Sequence, residues 1–496
     1  MAASLLDRVI GAISPQAALK RHRARATLEA VRAYEGASRT DGWRVRRAGA
    51  SANTDHQADA RELRNRARAL VQNVPYCARS LQVLVSATIG TGITPKAEGP
   101  NAPALDTLWG RWAEVADADG KSDIYGLMAT AYRAMEQDGE SMIRRRTRRQ
   151  SDGLAVPLQL QVLEIDWLDG NKNGSASGGG QIINGIEYDA IGRIRGYWLF
   201  GAHPGEAVRG SVRLSSSLVP ASDIIHLYNP VRPGQGRGIT RFAPVIARVR
   251  DLMLYEDAEL ARKNLEARLG VIVSGDIDSM SNADDDGPSQ LGSDRDQVTD
   301  LGPLPSGGVT HITGATAFQT VEPKPAGGYV EYCKFNAHII TAGIGVPYES
   351  ATGDMREVNF SSARIRQMEF RRDCEQMQWL VLVPQMCKPI WRWFDEAAAL
   401  GGGVRSTGST ADWSTPRWDY VNPKQDIESE IAAMGAGLNS PSEALRRRGY
   451  DPEAVYAEMG KDFKRMKETG ALELMTFLQS SGARTSLVDA STTNEE

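Results

Sequence analysis

The stretch from residue 327 to residue 395 constrains the fold most, because two helical patterns flank a loop within it. The first helix is predicted for residues 329–342, and the glycines and proline that follow it favour a chain break. Asn359 can accept a hydrogen bond from the free N–H groups that open the second helix. The loop, residues 343–360, is therefore predicted to be irregular and to have two fixed ends.

The second helix is amphipathic and contains a proline. Apolar side chains recur every three or four residues on one face, namely Phe370, Cys374, Met377 and Val381. Pro384 has no N–H to bond the carbonyl of Leu380, so we expect the helix to kink or stop there. The pattern by itself also fits an ordinary kinked helix of a protein core.

Length and composition predict a folded, multidomain protein. The 496 residues suffice for roughly two to four domains, and 41% of them are hydrophobic. The longest aliphatic run falls far short of the ~20 apolar residues that a membrane-spanning helix needs. Asp7 and Arg8 interrupt the place where a signal peptide would be apolar. We therefore expect a cytoplasmic protein without a membrane segment.

The charge balance argues against tight binding of nucleic acid. The formal net charge is −4 and the pI is about 6.0, whereas proteins that neutralise DNA phosphates are usually basic. Residues 1–58 differ from the rest, because they form a basic arm. Such an arm is typical of a contact with an acidic partner or of a solvated terminus.

Residues 59–243 alternate helical and strand patterns, which predicts an α+β domain. Asp119-Gly-Lys-Ser122 resembles part of a phosphate loop, but Val115 stands where such a loop needs its first glycine, and a helical pattern precedes it. The Gly-rich segment 229–239 has N–H groups that could hold an anion. We favour a tight strand-to-helix connection, because the glycine spacing matches no nucleotide loop.

A long helix is predicted for residues 244–269, followed by an acidic segment with short strand patterns. Residues 282–287 mimic the front of a calcium loop, but Ser293 stands where the loop needs a glutamate. The six histidines are isolated in the sequence, and the four cysteines form no C-x-x-C pair. We therefore predict no metal, no cofactor and no enzymatic activity.

Three short motifs between residues 343 and 364 carry a family resemblance. They read Gly-Ile-Gly-Val-Pro-Tyr-Glu, Gly-Asp and Asn-Phe-Ser-Ser-Ala-Arg. They resemble the tunnel-loop region of the portal proteins of tailed phages, in the lambda-type branch. Further matches extend the resemblance over roughly residues 60–461, among them the Ala-Arg-Ala-Leu-Val-Gln-Asn run from Ala67. Asn422 departs from the pattern, because the closing motif of the family usually has an acidic residue there.

The resemblance implies an α+β portal fold with an α/β wing, long stem helices and a helical C-terminal region. It divides the chain into a basic N-terminal arm (1–58), a wing domain (59–243), a first stem helix (244–269), a small β-containing clip (270–326), a second stem helix (327–345), a tunnel loop (346–360), a kinked long helix with a return to the wing and crown-like helices (361–474), and a disordered tail (475–496).

The resemblance also implies a function. Portal proteins form a ring, usually of twelve subunits, at one capsid vertex of the virion, after assembly in the host cytoplasm. The ring is the channel for packaging and ejection of double-stranded DNA. It docks the large terminase subunit and the head–tail adaptor, and it contacts the major capsid protein or scaffold. The alternatives are a DNA-processing nuclease of a mobile element and another structural protein of the head or tail.

Two groups of residues are candidate sites under this resemblance. The tunnel-loop residues expected to face DNA carry a summed charge of −2 and are Tyr348, Glu349, Asp354, Met355, Arg356 and Glu357. That charge predicts weak contact that does not depend on base sequence. The residues expected to dock the motor and adaptor are Val271, Ile272, Val273, His311 and Phe318.

Overall fold

The computed structural model describes residues 49–206, 215–268, 272–274, 310–312, 327–356, 358–401, 403–404, 408–416, 418, 423–448, 450 and 452–473. Most of the basic arm, the acidic segment and the C-terminal tail lie outside these ranges. Within the described residues, no helix is both long enough and apolar enough to cross a bilayer.

Helices begin the described chain, and local signals fix where they start and end. They are α1 (Ala52–Asn73), α2 (Pro75–Thr88), α3 (Ala102–Ala113) and α4 (Ile124–Asp138), with strand β1 (Thr94–Ala97) before α3. Pro75 lies in the first turn of α2, where a missing N–H costs nothing. Asp123 caps α4 by accepting a hydrogen bond from the N–H of Gly126, and Gly139 ends the helix at φ 97°.

Two antiparallel sheets follow, as the alternating pattern predicts. The first sheet has the order β3-β2-β9 and consists of β2 (Glu140–Thr147), β3 (Leu158–Leu163) and β9 (Ile224–Tyr228). The second has the order β4-β5-β6-β7-β8 and consists of β4 (Gly174–Ser175), β5 (Gln181–Ile183), β6 (Ile186–Tyr188), β7 (Ile194–Phe200) and β8 (Ser216–Pro220). Helices and sheets thus share one mixed fold.

Two long helices, at the positions predicted for the stem, come next and pack on each other through aromatic rings. They are α5 (Ile246–Arg268) and α6 (Tyr329–Ile344), and α5 is about 35 Å long. The ring of Tyr255 lies 5.9 Å from that of Tyr329 and 4.6 Å from that of Tyr332, between centroids. Between the helices, β10 (Ile272–Ser274) and β11 (Thr310–Ile312) form a parallel pair.

The helix that contains Pro384 does not stop at the proline, although the sequence allowed either a stop or a kink there. After the short helix α7 (Tyr348–Thr352), α8 (Phe360–Met377) continues through a π-helical segment, Gln378–Cys387, into α9 (Lys388–Gly401). Pro384 lies inside the π-helical segment. The wider turn accommodates a residue that has no N–H and whose ring would clash with the preceding turn of an α-helix.

The C-terminal part returns to the N-terminal half of the chain and then continues in helices. Strand β12 (Ala411–Ser414) pairs antiparallel with β1, and α10 (Pro423–Gly435), α11 (Pro441–Arg447) and α12 (Pro452–Thr469) follow. Aromatic side chains that are far apart in the sequence pack together in the core. The ring of Trp109 lies 5.0 Å from that of Phe394 and 5.4 Å from that of Trp391. Such pairs add stability beyond the burial of their area.

A buried charged cluster joins α1, the first sheet and the Gly-rich connection. Glu140 of β2 is 1% exposed, and Arg237 donates to both of its carboxylate oxygens at 2.6–3.0 Å. His226 Nε2 lies 2.9 Å from Glu140 Oε2, and His56 Nε2 lies 3.5 Å from Oε1. Burial alone would raise the pKa of Glu140, but Arg237 and the hydrogen bonds lower it well below its usual value.

His226 makes stability depend on pH. Burial lowers its pKa from 6.5 more than the Glu140 carboxylate raises it, so below pH 6.5 the unfolded chain binds a proton that the folded chain does not. The contribution of His226 to the free energy of unfolding is therefore fully present above pH 6.5. It falls as the pH drops, by at most about 1.4 kcal/mol per pH unit. Urea unfolding at several pH values measures this slope. The slope should become shallower in His226→Asn, and an unchanged slope would contradict the assignment.

Candidate functional site

The end of α6, where the predicted tunnel loop begins, is fixed to the segment that leads into α5. Arg241 Nε donates to the carbonyl of Ile344, the last residue of α6, at 2.6 Å. Its guanidinium also lies 3.7 Å from the carboxylate of Glu136 in α4, and burial raises the pKa of that carboxyl group. A Cβ at Gly343 would lie 2.4 Å from Val245 Cγ1, so glycine at position 343 lets α6 approach the residue that precedes α5.

The loop itself is not irregular throughout, because residues Tyr348–Thr352 form α7. The ring of Tyr348 stacks on that of His338 with 3.9 Å between centroids. Glu349 is only 9% exposed and pairs with Arg366 of α8. Arg79 of α2 donates to the carbonyl of Ser350 at 3.2 Å. Side chains from three helices therefore hold α7 in place.

The residues after α7 form an exposed tip. Met355 is 62% exposed, and the side chain of Arg356 is 81% exposed. Arg356 donates to both carboxylate oxygens of Asp354 at 2.9 Å. These hydrogen bonds hold the pKa of Asp354 well below its usual value. The tip therefore presents a carboxylate and a guanidinium that neutralise each other.

The structure divides the six tunnel-loop candidates into two sets. Asp354, Met355 and Arg356 lie together at the tip, and Glu357 lies outside the described residues. Tyr348 and Glu349 instead contact the chain's own helices. The helical periodicity of α8 does not show that Arg366 contacts α7. The sequence analysis therefore did not predict the ion pair between Arg366 and Glu349.

The docking candidates are placed only in part. Val273 and His311 are direct partners in the β10–β11 pair, and Ile272 is the partner of Thr310. Val271 and Phe318 lie outside the described residues. The two predicted strands, one on each side of the acidic segment, therefore pair with each other. A small β-containing element between α5 and α6 requires such a pairing.

The segment that resembles a phosphate loop has its N–H groups bonded within the chain. The carboxylate of Asp117 accepts hydrogen bonds from the N–H groups of Asp119, Lys121 and Ser122 at 2.8–3.0 Å. Burial raises the pKa of Asp117, and these three bonds lower it further than burial raises it. A phosphate would have to displace an ionised carboxylate, which supports the prediction that this segment binds no nucleotide.

The Gly-rich connection is also bonded within the chain. Gln235 Oε1 accepts hydrogen bonds from the N–H groups of Val231 and Arg232 at 2.9 and 3.0 Å. Gly236 N–H donates to Asn53 Oδ1 of α1 at 2.9 Å. These contacts agree with a tight strand-to-helix connection.

Among the residues that the structure describes, one group of metal-binding residue types converges. Oxygen or nitrogen atoms of Glu164, Asp166 and His203 lie within 4.8 Å of one another. Arg68 donates to Asp166 at 2.6 Å, and Arg64 lies 3.3 Å from it. Two guanidinium groups already compensate this carboxylate, so we interpret the group as an ion-pair cluster.

Comparison with known proteins decides the family. The profile of the lambda family of phage portal proteins matches residues 36–378. The chain belongs to this family. That membership confirms the resemblance seen in the loop motifs.

Named relatives of this lambda-family chain come from several phages. A probable portal protein of Halomonas phage phiHAP-1 is 25% identical over 435 residues, which cover 83% of this chain and 82% of the relative. Portal protein B of Escherichia phage lambda is 20% identical over 275 residues, 50% of this chain and 51% of the relative. The portal protein of Escherichia phage N15 is 20% identical over 317 residues, 58% of this chain and 59% of the relative.

Among solved structures, the chain is similar to one from the neck of a native gene transfer agent particle computed with C12 symmetry. The TM-score is 0.43 and the identity 15%, with 79% of this chain and 94% of the other covered.

Proposed function

We propose that copies of this chain close into a portal ring, usually of twelve subunits, at one vertex of a virion head. The ring is the channel through which double-stranded DNA is packaged and ejected. Family membership supports a portal role, and portal proteins are structural components rather than enzymes. Assembly takes place in the host cytoplasm before the ring enters the particle.

The proposal of a ring rests on the exposed apolar side chains of the two stem helices. Although α5 and α6 pack on each other, both keep large apolar side chains at least 59% exposed, namely Leu254, Leu260, Val330 and Phe335. A second apolar surface lies on α8, where Ile365 is 59% and Met368 45% exposed. Two different apolar surfaces on one chain suit a head-to-tail contact, which closes into a ring when the rotation between subunits permits.

The tunnel-loop tip suits a channel through which DNA slides. Arg356, whose side chain is 81% exposed, is paired with Asp354, whose side chain is only 16% exposed, so little charge remains to attract phosphates. Affinity for duplex DNA grows with the number of phosphates that a protein neutralises. A wall of paired charges therefore makes weak contacts that do not depend on base sequence.

The β10–β11 element, with Ile272, Val273 and His311, is our proposed docking surface for the large terminase subunit and the head–tail adaptor. It is short and lies between the two stem helices in the sequence, and a strand at the edge of a sheet can pair with a partner strand. Contact with the major capsid protein or scaffold belongs to the same proposal.

Ring formation is tested by sedimentation and negative-stain imaging of the purified protein. We expect annular particles many times heavier than the 53.9 kDa chain. Phe335→Glu on α6 should shift the particles toward single subunits, because it places a charge in the proposed contact. Ile191→Glu changes a residue that is 72% exposed in the turn between β6 and β7 and should leave the rings intact. A single-subunit protein that cleaves DNA with Mg²⁺ would support the nuclease alternative instead.

A further inference from the structure

Three arginines form a row on one face of the first sheet. Arg144, Arg146 and Arg148 are two residues apart along β2 and just after it, so their side chains point to the same side of the sheet. The N–H of Arg148 continues the strand pairing, because it donates to the carbonyl of Pro157 at 2.9 Å. All three arginines are partly exposed. At about 3.4 Å per residue, the row is about 14 Å long.

Glutamine side chains of β3 hold two of the three guanidinium groups. Arg146 Nε donates to Gln161 Oε1 at 3.0 Å, and Arg148 Nε donates to Gln159 Oε1 at 2.8 Å. Gln159 is itself fixed, because its amide donates to two backbone carbonyls at 2.9 and 3.0 Å. Glutamine is neutral, so these bonds orient the guanidinium groups without compensating their charge.

The described part of the chain leaves the row with an excess of positive charge. Arg145, which points to the opposite face, pairs with Glu396 of α9 at 2.8 Å, whereas the three arginines of the row form no ion pair with a described residue. Burial lowers the pKa of Arg146, and the charges of Arg144 and Arg148 lower it further, whereas Asp119 raises it. Asp119 accepts a hydrogen bond from Gln161 rather than from an arginine of the row.

We propose that this arginine row binds an extended acidic segment of another protein. A peptide in the β conformation places every second side chain on the same side, about 6.8 Å apart. The three arginines repeat at the same spacing, because they lie along a strand. Three carboxylates at alternate positions can therefore meet three guanidinium groups at once. The inference goes beyond the proposed ring, because the contact needs only one copy of the chain.

Nucleic acid fits the row less well than an acidic peptide does. The chain has a net charge of −4, and a duplex would bring a long line of phosphates close to the acidic surfaces of the protein as well as to the row. A short acidic segment contacts the row alone. Arginine also forms two parallel hydrogen bonds with one carboxylate, so guanidinium groups held by glutamines favour carboxylates at matching positions.

Fluorescence anisotropy of labelled peptides with the purified full-length protein tests this site. One capped peptide has glutamate at every second position, Thr-Glu-Thr-Glu-Thr-Glu-Thr. The other has the same composition with glutamate at every third position, Glu-Thr-Thr-Glu-Thr-Thr-Glu. We expect the first to bind about tenfold more tightly, because only the first can place three neighbouring carboxylates on one side of an extended chain.

Gln161→Glu tests the row without changing an arginine. The new carboxylate would lie beside Arg144, its partner across the strands, and Arg146, and it would compete with the peptide for both. Binding of the alternating peptide should weaken about tenfold, while the urea midpoint should stay the same or rise, which excludes misfolding as the cause. Gln376→Glu is the matched control, because it makes the same change at an exposed position of α8 and should leave binding as it was.

Three results would overturn the proposal. Equal binding of the two peptides, or no binding of either, would show that the row does not select carboxylates at strand spacing. Unchanged binding in Gln161→Glu would place the peptide elsewhere. A duplex DNA oligonucleotide that bound more tightly than the alternating peptide, and less tightly in Gln161→Glu, would show a nucleic-acid site instead. None of these measurements depends on ring formation, so their failure is separate from that of the proposed function.

Discussion

In the proposed ring, Asp354→Asn should turn weak DNA binding into tight binding with a steep dependence on salt. Arg356 is 81% exposed and pairs with both oxygens of Asp354. Without the carboxylate charge, the net charge around each Arg356 guanidinium would rise by one, which favours contact with phosphates. If six of these engage phosphates, affinity should fall about 10³-fold between 50 and 200 mM salt. Packaging should slow, because the wall would then hold the DNA that has to slide past it.

Fluorescence anisotropy of a labelled duplex with purified rings, at several salt concentrations, measures this effect. Glu114→Gln is the matched control, because it removes one negative charge from an exposed position in the wing and should leave the salt dependence as it was. Equal salt dependence in Asp354→Asn and the unsubstituted ring would show that the tip does not line the channel. Loss of the ring in Asp354→Asn would show that the tip is structural.

Arg237→Leu should destabilise the wing by about 3–5 kcal/mol, because it leaves the ionised Glu140 buried without its partner. Glu140 is 1% exposed, and its pKa is well below the usual value only while Arg237 and the hydrogen bonds compensate it. The same cluster connects α1 to β2, β9 and the approach to α5. Its loss should therefore loosen the attachment of the stem to the wing as well as lower the free energy of unfolding.

Urea unfolding followed by tryptophan fluorescence, at one fixed protein concentration, measures the loss. Arg66→Gln is the control, because Arg66 pairs with Glu62 at 2.8 Å and both side chains are more than half exposed, 57% and 63%. This exposed pair should contribute no more than about 1 kcal/mol. Similar losses in the two variants would contradict a special role for the buried cluster.

The secondary structure followed closely from local signals in the sequence. Pro75, Asp123 and Asn359 each act within a few residues, by ending an extended segment or by accepting the hydrogen bond of a free N–H. The sequence predicted the loop ends for the same reason. It did not predict α7, because that helix is held by Arg79 and Arg366, which lie on other helices.

The sequence predicted which segment contains the candidate site, but not which of its side chains form the exposed surface. The motifs placed Tyr348, Glu349 and Asp354 in one loop, and nothing in their spacing shows which of them face outward. Only the tertiary structure places Glu349 against α8 and leaves Met355 and Arg356 exposed.

The sequence by itself determined the family, the helices and strands, and the absence of a complete phosphate loop, because motifs and helix caps depend on neighbouring residues. The tertiary structure decided that His56, Glu140 and Arg237 form one buried cluster and that Arg241 joins the stem to the loop. These contacts connect residues far apart in the chain. They depend on how helices and sheets pack against one another, which the order of the residues does not show directly.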